Sequence, residues 1–187
     1  MNPVGLYGLF SGGAVTVINL PVSICYGLAA ASIPAVAGER GDFKKRKKKI
    51  IFSLLITLLV SIPCAVGLYL FSPFIVKTLF RSLTGTEKEI MSSLVKVFSI
   101  SAVTLSCTQT LSACLTAQGR TMRAVCSMAL GIAVKTGLEL LLLQNERLSV
   151  TGLAIATNVC YAVSFMFNLL FNLCAKVHKS LELNKTS

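Results

Sequence analysis

The chain has 187 residues, 54% of them hydrophobic and 13% charged, with a mean hydropathy of +0.76 and a net charge of +11. A water-soluble domain of this length carries about 25% charged residues, because its polar faces must meet water, so the composition excludes an ordinary soluble fold. It also speaks against a nucleic-acid partner: seven of the 18 Lys and Arg are crowded into one stretch between apolar segments rather than spread over a surface.

Crossing hydrocarbon as a helix takes about 20 mostly apolar residues, and five segments pass that test. The first, residues 4–36, holds no charged side chain. Within it "INLPVS" sets Asn19 two residues before Pro21, and a second proline, Pro34, follows. An internal proline removes one helix hydrogen bond, so a kink is expected at Pro21. The Asn19 amide then either reaches the freed backbone groups or faces a cavity.

The connector 38–49 carries Arg40, Lys44, Lys45, Arg46, Lys47, Lys48 and Lys49. Between two long apolar spans it reads as a turn that fixes topology, with Lys44 to Lys49 in reach of anionic lipid headgroups. The second span covers 50–71 and contains Pro63, a second expected kink. In the stretch 72–85, "SPFIVKTLFRSLTG", Phe74, Ile75, Leu79, Phe80 and Leu83 recur at helical spacing, with Lys77 and Arg81 on another face. Either a short helix lying in the interface or an extension of the second span suits it.

The third span, 91–117, has a hydroxyl face of Thr104, Thr108, Ser112 and Thr116, with Gln109 beside it. Hydroxyls can bond to carbonyls of their own helix, which leaves Gln109 as the candidate for a ligand or cross-helix role. A short connector, "QGRTMR", adds Arg120 and Arg123. In the fourth span, 122–143, Ser127, Gly131, Lys135 and Glu139 are spaced by four along one drifting face. A charged side chain near the middle of a membrane helix costs about 2.5–3.5 kcal/mol on insertion scales, so Lys135 and Glu139 belong in a bundle interior or watery cavity. They can pair along the helix, although Lys before Glu is the weaker order and invites a second partner.

The fifth span, 150–174, carries Gly152, Ala156, Cys160, Ser164, Asn168 and Asn172 at the same spacing. Small residues let helices approach closely in lipid and Asn bonds across them, so this stripe reads as a packing seam. The polar tail 175–187 holds the single histidine, His178, with no carboxylate or second histidine near it. Cysteines at 25, 64, 107, 114, 126, 160 and 174 all fall in apolar stretches without a Cys-x-x-Cys pair. They read as small packing side chains rather than disulfides or metal ligands.

Five crossings put the connectors at 38–49 and 118–123 and the tail on one side, and all three are basic. The remaining connectors, 77–89 and 144–149, contain acids that nearly balance their basic residues, so an N-out, C-in arrangement is expected. There is no Gly-rich phosphate loop, no paired carboxylates, no nucleophile with a base and no metal-ligand spacing, which speaks against an enzyme, a cofactor or a metal.

Several stretches together are similar to one family. "LYGLFSGGAVTVINLPVSICYGLAAASIPAVAGERGD" resembles a helix with an Asn-Leu-Pro kink and its exit, and "IPCAVGLYLFSPFIVKTLF" resembles the helix after it. "TLSACLTAQGRTMRA" is similar to an "LQGLGK"-type helix exit. "GIAVKTGLELLLL" and "VTGLAIATNVCYAVSF" resemble a "VKxxLNxxL…GAAIAT" region. The family is the multidrug, oligosaccharidyl-lipid and polysaccharide exporter superfamily, within it the group of stage V sporulation protein B, polysaccharide flippases and lipid II flippases.

The resemblance implies an all-α membrane bundle, the last five helices of the second of two six-helix bundles that form a V around a cavity. It implies a fragment whose missing N-terminal bundle is its partner, in the bacterial cytoplasmic membrane. The function implied is alternating-access flipping of a lipid-linked sugar or peptidoglycan precursor. Lys135, matching the family's Val-Lys motif, would meet the anionic headgroup, with Asn19 and Gln109 as polar lining. Glu139 stands where Asn is usual, and Thr16 stands where lipid II flippases often place a cavity arginine, which favours the sporulation or polysaccharide branch. A cation-coupled multidrug antiporter using Glu139, and a non-transporting membrane assembly subunit, are the alternatives.

Overall fold

Inside hydrocarbon every backbone N–H and C=O must be bonded within the protein, and a long apolar segment does this by itself as a helix. The computed structural model describes residues 8–38, 43–81, 83–142 and 149–173. A π-helical turn, Leu9–Ala14, runs into α1 (Val15–Ala37), followed by α2 (Phe43–Leu79), α3 (Gly85–Ala117), α4 (Thr121–Leu142) and α5 (Ser149–Leu173). Among the described residues five helices are long and apolar enough to cross a membrane, and there is no strand. The protein is therefore an all-α, multi-pass membrane bundle. Arg40, Cys174, His178 and the tail 175–187 lie outside the described residues, as does the connector 143–148 between α4 and α5.

At α2 one expectation changes and one open alternative is decided. The basic stretch is not all turn, because Lys44 to Lys49 form the opening turns of this helix. The stretch after residue 71 is the extension rather than a separate interfacial helix, for α2 continues unbroken to Leu79. At 37 residues α2 is about 55 Å long, against roughly 30 Å of hydrocarbon, so charged turns at its end stand clear of the apolar slab. Pro21 and Pro34 sit inside α1 and Pro63 and Pro73 inside α2, each helix continuing past them.

The bundle is apolar outside and partly polar within. Leu20, Ile24, Phe52, Leu55, Leu59 and Phe74 are exposed, whereas Thr57, Ser72, Ser101, Thr110, Ser127, Ser164 and Asn168 are buried. Lipid tails are as apolar as leucine, so helices gain from contacts lipid cannot make: close packing of small residues and hydrogen bonds. The α2–α3 seam has both, with Thr57 and Thr110 hydroxyls 2.8 Å apart and the Ser72 hydroxyl donating to the Ser92 carbonyl at 2.6 Å. The most enclosed helix is α3, which packs on α1, α2 and α5. Two apolar clusters mark its ends, one around Val17, Val22, Met91, Val95 and Phe98, the other around Val36, Ile50, Leu111, Cys114 and Ala117.

The stripe on α5 is the seam its spacing announced. Gly152, Ala156, Cys160, Ser164, Asn168 and Asn172 are all buried. Asn172 donates to the Leu111 carbonyl at 3.1 Å and accepts from the Gln118 amide at 2.9 Å, tying α5 to the end of α3. On the other side α4 closes on α5 through Gly131, where an added Cβ would stand 2.8 Å from the Cys160 carbonyl oxygen and closer still to Ser164 Oγ. Gly131→Leu is expected to destabilise the bundle by about 1–3 kcal/mol, read as a lower unfolding temperature in detergent. Gly137→Leu, at a position where an added Cβ meets nothing within 4 Å, should leave that temperature nearly unchanged.

Candidate functional site

Asn168 is fully buried and bonds two helices at once. Its Nδ2 donates to Ser112 Oγ on α3 at 2.8 Å, and its Oδ1 accepts from the Ser127 hydroxyl on α4 at 2.7 Å. Both α3 and α4 are thus held by α5, while α3 and α4 touch each other sparsely. The space left between them, closed at the back by α1, is a groove of about 540 Å³. Its walls are Tyr26, Ala30 and Ile33 of α1, Thr108, Gln109, Ser112, Ala113 and Thr116 of α3, and Thr121, Ala124, Val125, Met128, Ala129 and Ile132 of α4. It lies in the half of the bundle nearest the α3–α4 turn.

The two long walls differ in chemistry. The α4 wall is almost wholly apolar. The α3 wall carries Thr108, Gln109, Ser112 and Thr116, but its threonine hydroxyls are satisfied locally: Thr108 donates to the Thr104 carbonyl at 2.7 Å and Thr116 to the Ser112 carbonyl at 3.0 Å. Gln109 is the exception, because its Oε1 is buried and has no hydrogen-bond donor. Leaving a buried acceptor unmet costs about 1–3 kcal/mol, a cost that a ligand N–H or O–H would relieve. A groove with one polar edge and one greasy wall fits an amphipathic molecule.

Of the candidate substrate-binding residues Lys135, Glu139, Asn19 and Gln109, only Gln109 lines this groove, beside Thr108, Ser112 and Thr116 of the hydroxyl face. Lys135 and Glu139 pair along α4 at 3.6 Å, their side chains 30% and 23% exposed, within electrostatic reach of Cys160 on α5. They do not line the groove, yet Met128, Lys135 and Glu139 (i, i+7, i+11) share a helix face, so the pair continues the α4 wall beyond Ile132. Asn19 is exposed and stands seven residues before Tyr26, on the α1 face that lines the groove lower down. Lys44, Lys45, Lys47 and Lys48 are exposed, and Lys45, Lys48 and Lys49 border a shallow cleft with Ile51, Phe52 and Leu55. Amines beside lipid-facing apolar side chains mark the headgroup level.

Sequence reasoning passed over Tyr26 and Lys96. Tyr26 shares the Asn19 face, a signal readable from spacing. Lys96, a charge inside the third span, lines a second cavity of about 690 Å³ with Tyr69, Thr104 and Asn158. Among the described residues no cluster of three or more His, Cys, Asp or Glu is placed to hold a metal ion.

The family model of the lipid II flippase MurJ matches residues 13–186. No curated protein matches the chain. Among solved structures the chain is similar to one described as the inward-facing conformation of a multidrug resistance MATE family transporter of the MOP superfamily, with a TM-score of 0.74 and 22% identity. The alignment covers 90% of this chain and 38% of the transporter, and at that identity the likeness is one of fold.

If the groove is open to water at the end near the α3–α4 turn, a cysteine placed at Ala113 or Thr116 in a cysteine-free background should react with a membrane-impermeant thiosulfonate. Replacement of Leu111, fully buried in the seam, should give a thiol that does not react.

Proposed function

The chain belongs to the MurJ lipid II flippase family, and on that footing we propose that it helps to move a lipid-linked oligosaccharide, polysaccharide or peptidoglycan precursor across the bacterial cytoplasmic membrane. It would do so by alternating access, as part of the second of two helical bundles that rock about a shared cavity. The observation that carries the reading is the groove between α3 and α4, with its apolar wall and the unmet Oε1 of Gln109. An amphipathic substrate would lay its isoprenoid or acyl portion against Val125, Met128 and Ile132, and offer an N–H or O–H to Gln109. Lys135, farther along the same α4 face, would meet an anionic headgroup, with Glu139 holding the ammonium in place until the anion arrives.

Orientation follows from charge. The groove lies in the half of the bundle that carries the basic start of α2 and the Arg120–Arg123 turn, which the positive-inside tendency assigns to the cytoplasm. The groove would then load from the cytoplasmic side, with the N-terminus outside and the tail inside. Thr16, where a lipid II carrier was expected to have arginine, is exposed, and its hydroxyl donates to the Gly12 carbonyl at 2.9 Å. Choice among precursors is therefore a matter for transport assays with defined substrates.

In a transporting assembly that contains this bundle, Gln109→Ala and Lys135→Ala should each lower precursor flux at least about tenfold, the loss of one hydrogen bond to a charged or buried partner, with membrane insertion unchanged. Unchanged flux in both variants would reject the site. The antiporter reading makes transport depend on a Na⁺ or H⁺ gradient and lose that dependence in Glu139→Gln. Precursor flux indifferent to both gradients removes that reading.

A further inference from the structure

Helix α3 ends in a tight left-handed turn. Gly119 takes φ +73°, a region costly for any side chain, while its N–H donates to the Thr116 carbonyl and that of Arg120 to the Leu115 carbonyl, both at 2.9 Å. The turn sets Arg120 immediately before α4. Arg123 follows within the first turn of that helix, its N–H bonded to the Arg120 carbonyl at 3.0 Å. The Gln118 amide nitrogen is committed to Cys114 and Asn172, while its Oε1 is buried without a hydrogen-bond partner.

The opening turns of α2 bring a third guanidinium. Helical period divides the basic stretch into two faces: Lys44, Lys45, Lys47 and Lys48 are exposed, whereas Phe43, Arg46 and Lys49 are half-buried. Arg46 lies over the Phe43 ring at 5.3 Å and one turn before Ile50, which packs on Leu111, Cys114 and Ala117 at the end of α3. Its charge is felt at Arg120, whose guanidinium is held below its ordinary range by burial, then by Arg123 and Arg46. Nη1 of Arg120 is itself buried and has no hydrogen-bond partner.

Two costs thus fall on one spot, a buried donor with no acceptor and three like charges drawn together. An oxyanion removes both. Phosphate suits best, since its oxygens match the planar fork of arginine. Its source is indicated by level: Arg46 sits among the same turns as Lys45 and Lys48, which border apolar Ile51 and Phe52 at the headgroup zone. We propose that Arg120, Arg123 and Arg46 form a binding site for the phosphate of an anionic phospholipid headgroup, at the end of the bundle where α3 turns into α4. The site is separate from the transport reading and stands whatever the groove carries.

Native mass spectrometry of the purified 187-residue chain in maltoside micelles tests it, with phosphatidic acid, diacylglycerol and inorganic phosphate as probes. One phosphatidic acid should be retained and diacylglycerol should not. Arg120→Gln should weaken retention at least about tenfold. Arg120→Lys, charged but without the fork, should restore only part of it. The double change Lys47→Gln, Lys48→Gln removes more charge from exposed positions and should alter retention by less than about threefold. Equal retention of diacylglycerol, no loss in Arg120→Gln, or an equal loss in the double lysine variant overturns the site. Should inorganic phosphate displace the lipid at equal concentration, the phosphate site stands and its lipid source falls. Unfolding temperatures of the variants, expected to match wild type in detergent, keep a folding defect apart from a binding one.

Discussion

Asn168 carries out what the membrane leaves undone. Where apolar contact gives helices no net reason to prefer one another over lipid, position comes from hydrogen bonds and from small residues that permit close approach. Asn168 donates to Ser112 and accepts from Ser127, so α3 and α4 are both referred to α5 rather than to each other. Gly131 completes the arrangement by letting α4 lie against the Cys160 carbonyl and the Ser164 hydroxyl. The opening between α3 and α4 is the geometric consequence, and everything said of the groove depends on it.

The same constraint explains which polar groups are structural and which are available. Most buried hydroxyls are answered at once by a carbonyl three or four residues back or by a partner across a seam, as Thr57 is by Thr110. A ligand adds nothing to a group already answered. Among the described residues four buried side-chain atoms lack a partner, Ser61 Oγ, Gln118 Oε1, Gln109 Oε1 in the groove and Arg120 Nη1 at the α3–α4 turn, and the last two differ in kind. One is an acceptor beside an apolar wall and the other a cationic donor among cations. They therefore ask for different chemistry, a hydroxyl or amide in the first case and an oxyanion in the second.

Much of this was legible in the residues. Five spans follow from hydropathy, and the α5 seam follows from the spacing of Gly152 to Asn172, since a stripe of small and amide side chains has little other use in lipid. The hydroxyl face of α3 was legible because threonine and serine hydroxyls bond carbonyls of their own helix, which left Gln109 as the candidate for another role. What was not legible was phase. Hydropathy sums over a window, so it missed that Lys44 to Lys49 are helical and that Arg46, unlike the exposed Lys44, Lys45, Lys47 and Lys48, is half-buried within electrostatic reach of Arg120. Tyr26 escaped for the same reason: its spacing from Asn19 was visible, but nothing along the chain says that this face of α1 closes a groove.

Sequence alone determined the class of molecule: an apolar, unevenly charged chain must be helical in lipid, because no other local structure satisfies its backbone there. It also determined the basic end of the bundle and the positions where helices come closest. Tertiary structure decided which of the polar residues remain unmet. That question depends on the partner across each seam, and a partner 40 or 60 residues away is supplied by packing, not by the local pattern. Hence Lys135 and Glu139, equally conspicuous along the chain, turn out to answer one another, while Gln109 Oε1 and Arg120 Nη1 meet no hydrogen-bond partner among the described residues.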